Sequence, residues 1–315
     1  MARKPLISIV CPVYNEEQAV PLFYERLRKA VAPLSDRYDF ELIFTNNRST
    51  DGTLAVIKAL REKDPSVQLL TLSRNFGYQA SVLAGISYST GDATVVIDVD
   101  CEDPPELIPQ FIAKWEEGYD IVYGLRLNRP ESRVLVWLRR LFYRLLRLTA
   151  DTDIVLDMAE FALVSSHVRN IMRDNRNTFP FLRAEIGYAG FLRYGIPYDR
   201  QQRITGGSYY NLWGMILFGA AGIMSVSTFP MRIAVYVWPL VVLVNLVLLA
   251  LDLTGSSYST FKLLVALDLV YGITLLTIHG LYLARIYKNQ MARPVFIIDW
   301  KLSLTNRAKL QLPIS

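Results

Sequence analysis

Two stretches near the C-terminus constrain this chain more than any other feature. Residues 233–251 run for nineteen positions without a formal charge, and residues 263–283 run for twenty-one with one acid, Asp268, and one His279. At about 1.5 Å per residue, each can cross a hydrocarbon core of about 30 Å. The linker 252–262 is short and contains Gly255, Ser256 and Ser257, so the two would form a hairpin. Two buried core helices of a soluble protein are the alternative. Arg232 precedes the first stretch, and Arg285, Lys288, Arg293 and Lys301 follow the second, whereas the linker holds only Lys262. That bias places both chain ends in the cytoplasm and predicts a multi-pass protein of the inner or plasma membrane. Asp268 would be costly in lipid. It should face another helix, a polar cavity or a neighbouring protomer of a homo-oligomer, unless it sits near the outer water interface.

Charge along the chain agrees with a membrane. Residues 1–230 hold 26 Lys and Arg against 26 Asp and Glu, while residues 231–315 hold 8 against 3, so the whole +5 lies in the apolar part. A chain that binds nucleic acid carries its basic patch on the main domain, so no nucleic-acid partner is expected. Two Cys (Cys11 and Cys101, each at an apparent strand end) and two His (His167 and His279) cannot build a disulfide framework or a Cys/His metal cluster.

The N-terminal part alternates. Apolar runs at residues 6–13, 40–45, 67–73, 93–99 and 120–125 are separated by stretches of helical periodicity, such as 54–61 and 77–89. That pattern predicts βαβ units and a mostly parallel α/β sheet, which takes ligands at the carboxyl ends of its strands. The first run is too short for a signal peptide and contains Pro12. Its end, Pro12-Val13-Tyr14-Asn15-Glu16-Glu17, has no glycine, so the dinucleotide fingerprint is missing where it would have to be; no phosphate-binding P-loop motif occurs either.

The densest feature is Asp98-Val99-Asp100-Cys101-Glu102-Asp103-Pro104-Pro105-Glu106, with five acids in nine residues and Pro105 placed to start a helix. If strand geometry persists, Asp98, Asp100 and Glu102 point to one side. Three close carboxylates suit a hard divalent cation, Mg²⁺ or Mn²⁺, with positions left for diphosphate oxygens. A solvated acidic loop capping a helix is the other possibility. A second acidic group, Asp151, Asp153, Asp157 and Glu160, follows an Arg-rich stretch in which seven Arg between positions 126 and 147 face one acid, Glu131. Residues 133–148 read as a basic amphipathic helix suited to anionic headgroups, or as a face packed on the domain's own acids. Arg200-Gln201-Gln202-Arg203 with Gly206-Gly207-Ser208-Tyr209-Tyr210 suits a flexible anion-binding loop or a polar linker. The uncharged segment 211–229 reads as interfacial, with a third buried helix as the alternative.

Taken in order, Pro-Val-Tyr-Asn-Glu, Ser-Thr-Asp-Gly-Thr (residues 49–53), Leu-Ser-Arg-Asn-Phe-Gly (residues 72–77) and the acidic motif resemble family-2 glycosyltransferases with a GT-A fold. The match is of the dolichol-phosphate mannose synthase type, nearest the bacterial polyprenyl-phosphate (bactoprenol) glucosyltransferases that end in a two-span hairpin. The resemblance implies a GT-A domain over residues 1–205, a juxtamembrane segment 206–230, two spans within 231–285 and a cytoplasmic tail 286–315. It implies a nucleotide-sugar donor held by Pro12, Tyr14, Glu16, Asn46 and Asp98, and a metal, Mg²⁺ or Mn²⁺, on Asp98, Asp100 and Glu102. Arg126, Arg129, Arg200, Arg203 and Ser208 would bind the acceptor phosphate, and Asp157, opening the family's Asp-x-Gly-Asp-Phe-Arg-Leu block, would be the catalytic acid or base.

Three departures stand out: Asn46-Asn47-Arg48 in place of Asp-Asp-Gly, Ala159 and Ala162 in the block, and Tyr209 for the loop's Lys. The implied reaction is inverting transfer of a hexose, UDP-glucose being the expected donor, to a polyprenyl phosphate at the cytoplasmic membrane face. A GDP-mannose-dependent synthase and a membrane-anchored nucleotide-sugar-binding pseudoenzyme are the alternatives. Two spans are too few to build a lipid transporter's path without oligomerisation, and a processive synthase would need a Gln-x-x-Arg-Trp segment and more spans, which the chain lacks.

Overall fold

The computed structural model describes residues 3–127, 158–175, 182–203, 227–253 and 259–306. The chain divides into two compact units: Met1–Arg140, Asp153–Asn211 and Pro294–Ser315 make the first, and Leu141–Thr152 with Leu212–Arg293 the second.

In the first unit, strands and helices alternate as the apolar runs predict: β1 Leu6–Val13, α1 Ala19–Val31, β2 Asp39–Asn46, α2 Thr53–Lys63, β3 Val67–Thr71, α3 Tyr78–Tyr88, β4 Ala93–Val96, α4 Ile108–Glu116 and β5 Ile121–Arg126. Then come β6 Met158–Ser165, α5 Ser166–Asp174, α6 Leu182–Ala189 and β7 Arg193–Tyr198. The sheet order is β3-β2-β1-β4-β6-β5-β7. Every neighbouring pair is parallel except the two made by β6, which runs antiparallel to β4 and β5. This is the mostly parallel α/β architecture expected from the sequence.

Helices cover both faces, which is why the central strands are apolar throughout rather than alternating. On one face Ile7, Ile9, Cys11, Leu42 and Phe44 meet Phe23 and Leu27 of α1, Ile57 of α2 and Phe111 of α4. Phe111 stacks on Phe161 of β6 with ring centroids 4.4 Å apart. On the other face Val10, Ile43 and Leu70 meet Ala80, Val82 and Ile86 of α3. Helix α3 lies so close to β1 that a Cβ on Gly85 would come within 2.2 Å of Val10 Cγ1, so small residues there set the helix–sheet distance.

The sequence pattern did not announce one element. Residues 294–306 run along the outer edge of β3, with Leu69 and Leu304 exchanging main-chain hydrogen bonds of 2.8 Å, Ser73 N donating to Ile297 O and Asp299 N to Thr71 O. Phe296 is buried, and Trp300 packs edge-on against Tyr88 at 5.6 Å. This strap covers a sheet edge that would otherwise present unpaired main-chain groups.

The second unit contains α7, Phe229–Leu253, and α8, Ser259–Gln290. Phe229–Leu251 and Phe261–Gln290 are long and apolar enough to cross a membrane, with mean hydropathies of 2.5 and 1.9 and 0% of either apolar window buried. That exposure separates them from the core helices of a soluble protein. Asn245 Nδ2 of α7 donates to Asp268 Oδ1 of α8 at 2.8 Å, and Tyr271 Oη donates to Ala234 O at 3.0 Å. Asp268 therefore faces the other helix of the pair. Helix α8 extends well beyond residue 283, carrying Arg285 and Lys288 on the same continuous helix.

Candidate active site

The loops at the carboxyl ends of β1 to β4 are laced together by their own side chains. After β1, Asn15 takes a positive φ of 56°. Its N–H donates to Ser49 Oγ at 3.0 Å, and its side-chain oxygen accepts from Thr50 N at 2.8 Å. Glu16 N donates to Thr53 Oγ1 at 2.8 Å, and Glu17 Oε2 accepts from Gly52 N at 2.7 Å. Asp51 in turn starts α2 by accepting from Thr53 N at 3.0 Å. Asn46 is buried at the end of β2 and uses its side-chain oxygen to turn the loop, accepting from Ser49 N at 2.9 Å. Asn47 does the same for the next loop, accepting from Phe76 N at 2.9 Å and donating to Asn75 at 3.0 Å. Among the expected donor residues, Pro12 is buried near the end of β1, whereas Tyr14 is exposed just beyond the strand.

The acidic motif departs from the expected alternation. Strand geometry stops at Val96, and residues 99–103 turn sharply, with Cys101 at φ 58° rather than at a strand end. Asp98, Asp100 and Glu102 therefore do not share a strand face, and Asp100 Oδ1 instead accepts from Glu102 N at 3.1 Å within the turn. Tyr78 Oη donates to Asp98 Oδ1 at 2.8 Å. Desolvation, then the charges of Asp100 and Asp103, push the Asp98 carboxyl up to about 8 against the lowering effect of Tyr78. Desolvation and Asp100 likewise raise Glu102, and desolvation raises Glu16.

Arginines close over these acids. Arg203 Nη2 lies 3.0 Å from Glu16 Oε1 and 3.5 Å from Asp100 Oδ2, and Arg200 pairs with Glu102. Gln201 N donates to Glu102 O at 2.9 Å. Arg26 of α1 grips Glu106 with Nε and Nη2 at 2.5 and 2.8 Å and also donates to Gln201 Oε1. The segment 200–203 is thereby tied across the acidic turn. Behind it, Arg126 makes a bidentate pair with Asp103, Nε lying 3.3 Å from Oδ1 and Nη2 2.9 Å from Oδ2, and Tyr198 donates to Asp103 while accepting from Arg126 Nε at 3.1 Å. Burial opposes the Arg126 charge, but Asp103 outweighs it and holds the guanidinium protonated. Glu160 of β6, whose charge also helps raise Asp98, lies 3.0 Å from Arg183 of α6, and its Oε2 is buried without a hydrogen-bond partner among the described residues.

The structure thus gathers Glu16, Asp98, Asp100, Glu102, Arg126, Arg200 and Arg203 at the carboxyl ends of the strands. Arg129, Asp157 and Ser208 lie outside the described residues, as do Asp151, Asp153, the Arg-rich stretch 133–148 and most of the segment 211–229. Sequence reasoning missed Tyr78, Asp103, Tyr198 and Arg26 as partners. Asp103 stood in the acidic motif itself, yet nothing in the spacing named its mates. Among the described residues no three His, Cys, Asp or Glu side chains are grouped as a metal site. The donor chemistry nevertheless fits a hard cation: Asp100 is buried, and Asp98 carries a like-charge burden that a cation would relieve.

The sequence profile described as Glycosyl transferase family 2 matches residues 8–175. An uncharacterized glycosyltransferase of Bacillus subtilis, YkcC, is 35% identical over 98% of this chain and 97% of its own length. A prophage bactoprenol glucosyl transferase homolog of Escherichia coli is 35% identical over 93% of this chain and 98% of its own. The bactoprenol glucosyl transferase of Shigella phage SfV is 34% identical over 93% and 97%.

Proposed function

The chain belongs to glycosyl transferase family 2, and we propose that it transfers glucose from UDP-glucose to the phosphate of a polyprenyl phosphate at the cytoplasmic face of a membrane. The observation that carries this reading is one arrangement: acids after β4 held against Arg200 and Arg203, in a chain that also has two exposed apolar helices. Those acids suit a diphosphate approached through a cation, and those arginines suit a phosphate monoester. The exposed helices suit an acceptor whose tail stays in lipid. Full-length relatives named bactoprenol glucosyl transferases support the glucose and the prenyl acceptor.

The nucleophile is then the acceptor's own phosphate oxygen. With a second pKa near ~6 it is largely dianionic at neutral pH, so the protein has little deprotonation to perform. Its task is to bring two anions together and to stabilise the departing nucleoside diphosphate. Asp98 and Asp100, with Glu102, would hold Mg²⁺ or Mn²⁺, which supplies Lewis-acid stabilisation of the diphosphate when bound. Arg200 and Arg203 leave their carboxylate partners as the donor loads and then neutralise and aim the acceptor phosphate. Arg126, fixed by Asp103 and Tyr198, provides a standing positive charge near Glu102. Asp157 takes the role of acid or base that the family motif gives it. A single displacement inverts the anomeric centre and yields a β-linked lipid sugar from an α-linked donor.

Incubating the purified protein with polyprenyl phosphate and a panel of labelled nucleotide sugars tests this. Label from UDP-glucose should enter the lipid, and label entering only from GDP-mannose would replace the donor assignment. Topology is a separate expected result. A cysteine at Ser256 should react with an impermeant reagent in intact cells and one at Lys301 only after permeabilisation. External labelling at position 301 would reverse the orientation.

A further inference from the structure

The strap that follows the membrane helices does more than cover an edge. Its Asp299 reaches the loop after β2, where Arg48 Nη1 lies 3.0 Å from Asp299 Oδ2. Arg48 sits at φ 63°, a conformation that costs free energy for a side chain of this size and that persists only where the surroundings fix it. The two residues before it are fixed: Asn46 and Asn47 are buried and committed to the turn. The pair itself is partly exposed, with side chains 45% and 25% accessible, so it adds little to stability. The strap does not depend on it, because main-chain bonds to β3 and the packing of Phe296 and Trp300 on Tyr88 hold the strap in place.

The acids follow β4, and β2 lies two strands away across β1, a distance of about 10 Å at the usual strand spacing. A donor with its diphosphate at the acids, laid along the carboxyl ends, brings its nucleoside over the loops after β1 and β2. Arg48 is then the cation at the nucleoside end. A guanidinium has five donors in one plane, and a carboxylate that takes one of them fixes the plane for stacking on a base or donating to a ribose hydroxyl.

We infer that Asp299, from the strap, is a positioning residue for the nucleoside end of the donor, acting through Arg48. The inference rests on the reading that the chain takes a nucleoside-diphosphate sugar, and it adds the part of the sequence beyond the membrane helices to the donor site.

The test uses the full-length protein in detergent, titrated with UDP in the presence of Mn²⁺ and assayed with UDP-glucose. Asp299→Asn keeps the oxygen that accepts from Lys301 N but loses the charge. It should weaken UDP binding and raise the donor KM by about tenfold, the scale of one charge-assisted hydrogen bond, with kcat and melting temperature unchanged. Arg48→Gln should match it, the double variant should be no worse than either, and Asp299→Glu should restore most of the affinity. Wild-type UDP affinity in Asp299→Asn overturns the inference, as does a melting temperature that falls together with affinity. A wild-type chain that binds no UDP overturns the donor reading itself, and the role of Asp299 with it.

Discussion

Asp103→Ala should cost the folded chain about 3–5 kcal/mol, measured by denaturant unfolding of the full-length protein in detergent. The side chain of Asp103 is 2% exposed and that of Arg126 12%. Both carboxylate oxygens engage Arg126, and Tyr198 donates to one of them. Truncating the acid leaves a guanidinium in a site that burial already disfavours for a charge, at the point where β5, β7 and the acidic turn meet. The expected loss is the penalty of that stranded charge rather than the net worth of the pair, so Asp103→Leu combined with Arg126→Met should recover much of it. A loss below about 1 kcal/mol in Asp103→Ala would show that water reaches Arg126 and that the pair does not anchor the turn.

That anchor also marks the limit of what could be read from the sequence. Strands β1 to β5 were legible because each is an apolar run between turn residues, and a strand covered on both faces needs no alternation to be recognised. The exposed helices were legible for the simpler reason that few other structures tolerate so long an apolar run. Strand β7, Arg193–Tyr198, was not legible: it lies at a sheet edge and buries only Ile196 and Tyr198 among its six residues. Strand β6 begins inside the acidic group at 151–160, carrying Glu160, and runs antiparallel to its neighbours, which βαβ logic does not anticipate. The strap was hidden because its partners are remote, Leu304 pairing with Leu69. At the site, residue types were legible and partnerships were not. Asp98, Asp100 and Glu102 were found as acids, but the turn at Cys101 broke the alternation that would have aimed them together. Arg200 and Arg203 were read as anion ligands, and their carboxylate partners Glu102 and Glu16 were not foreseen.

Asp100→Asn should lower glucosyl transfer by roughly 10²-fold or more while leaving the fold intact, the scale set by losing a cation's stabilisation of a leaving diphosphate. The substitution is nearly isosteric. The remaining oxygen can still accept from Glu102 N, so the turn that places Asp98 and Glu102 should survive, and only the charge is lost. Two explanations of Asp100 then compete. If it holds the cation, the variant should lose Mn²⁺-dependent UDP binding, and excess EDTA should silence the wild-type protein to the same degree. If it serves instead to hold Arg203, which lies 3.5 Å away, then Arg203→Gln should reproduce the defect with metal dependence unchanged. Because Arg203 also pairs with Glu16 at the mouth of β1, the second case predicts a raised acceptor KM rather than a lost response to metal. Titrating Mn²⁺ against UDP binding in both variants separates the two. Full activity in excess EDTA would remove the metal from the mechanism and leave the arginines to stabilise the diphosphate alone.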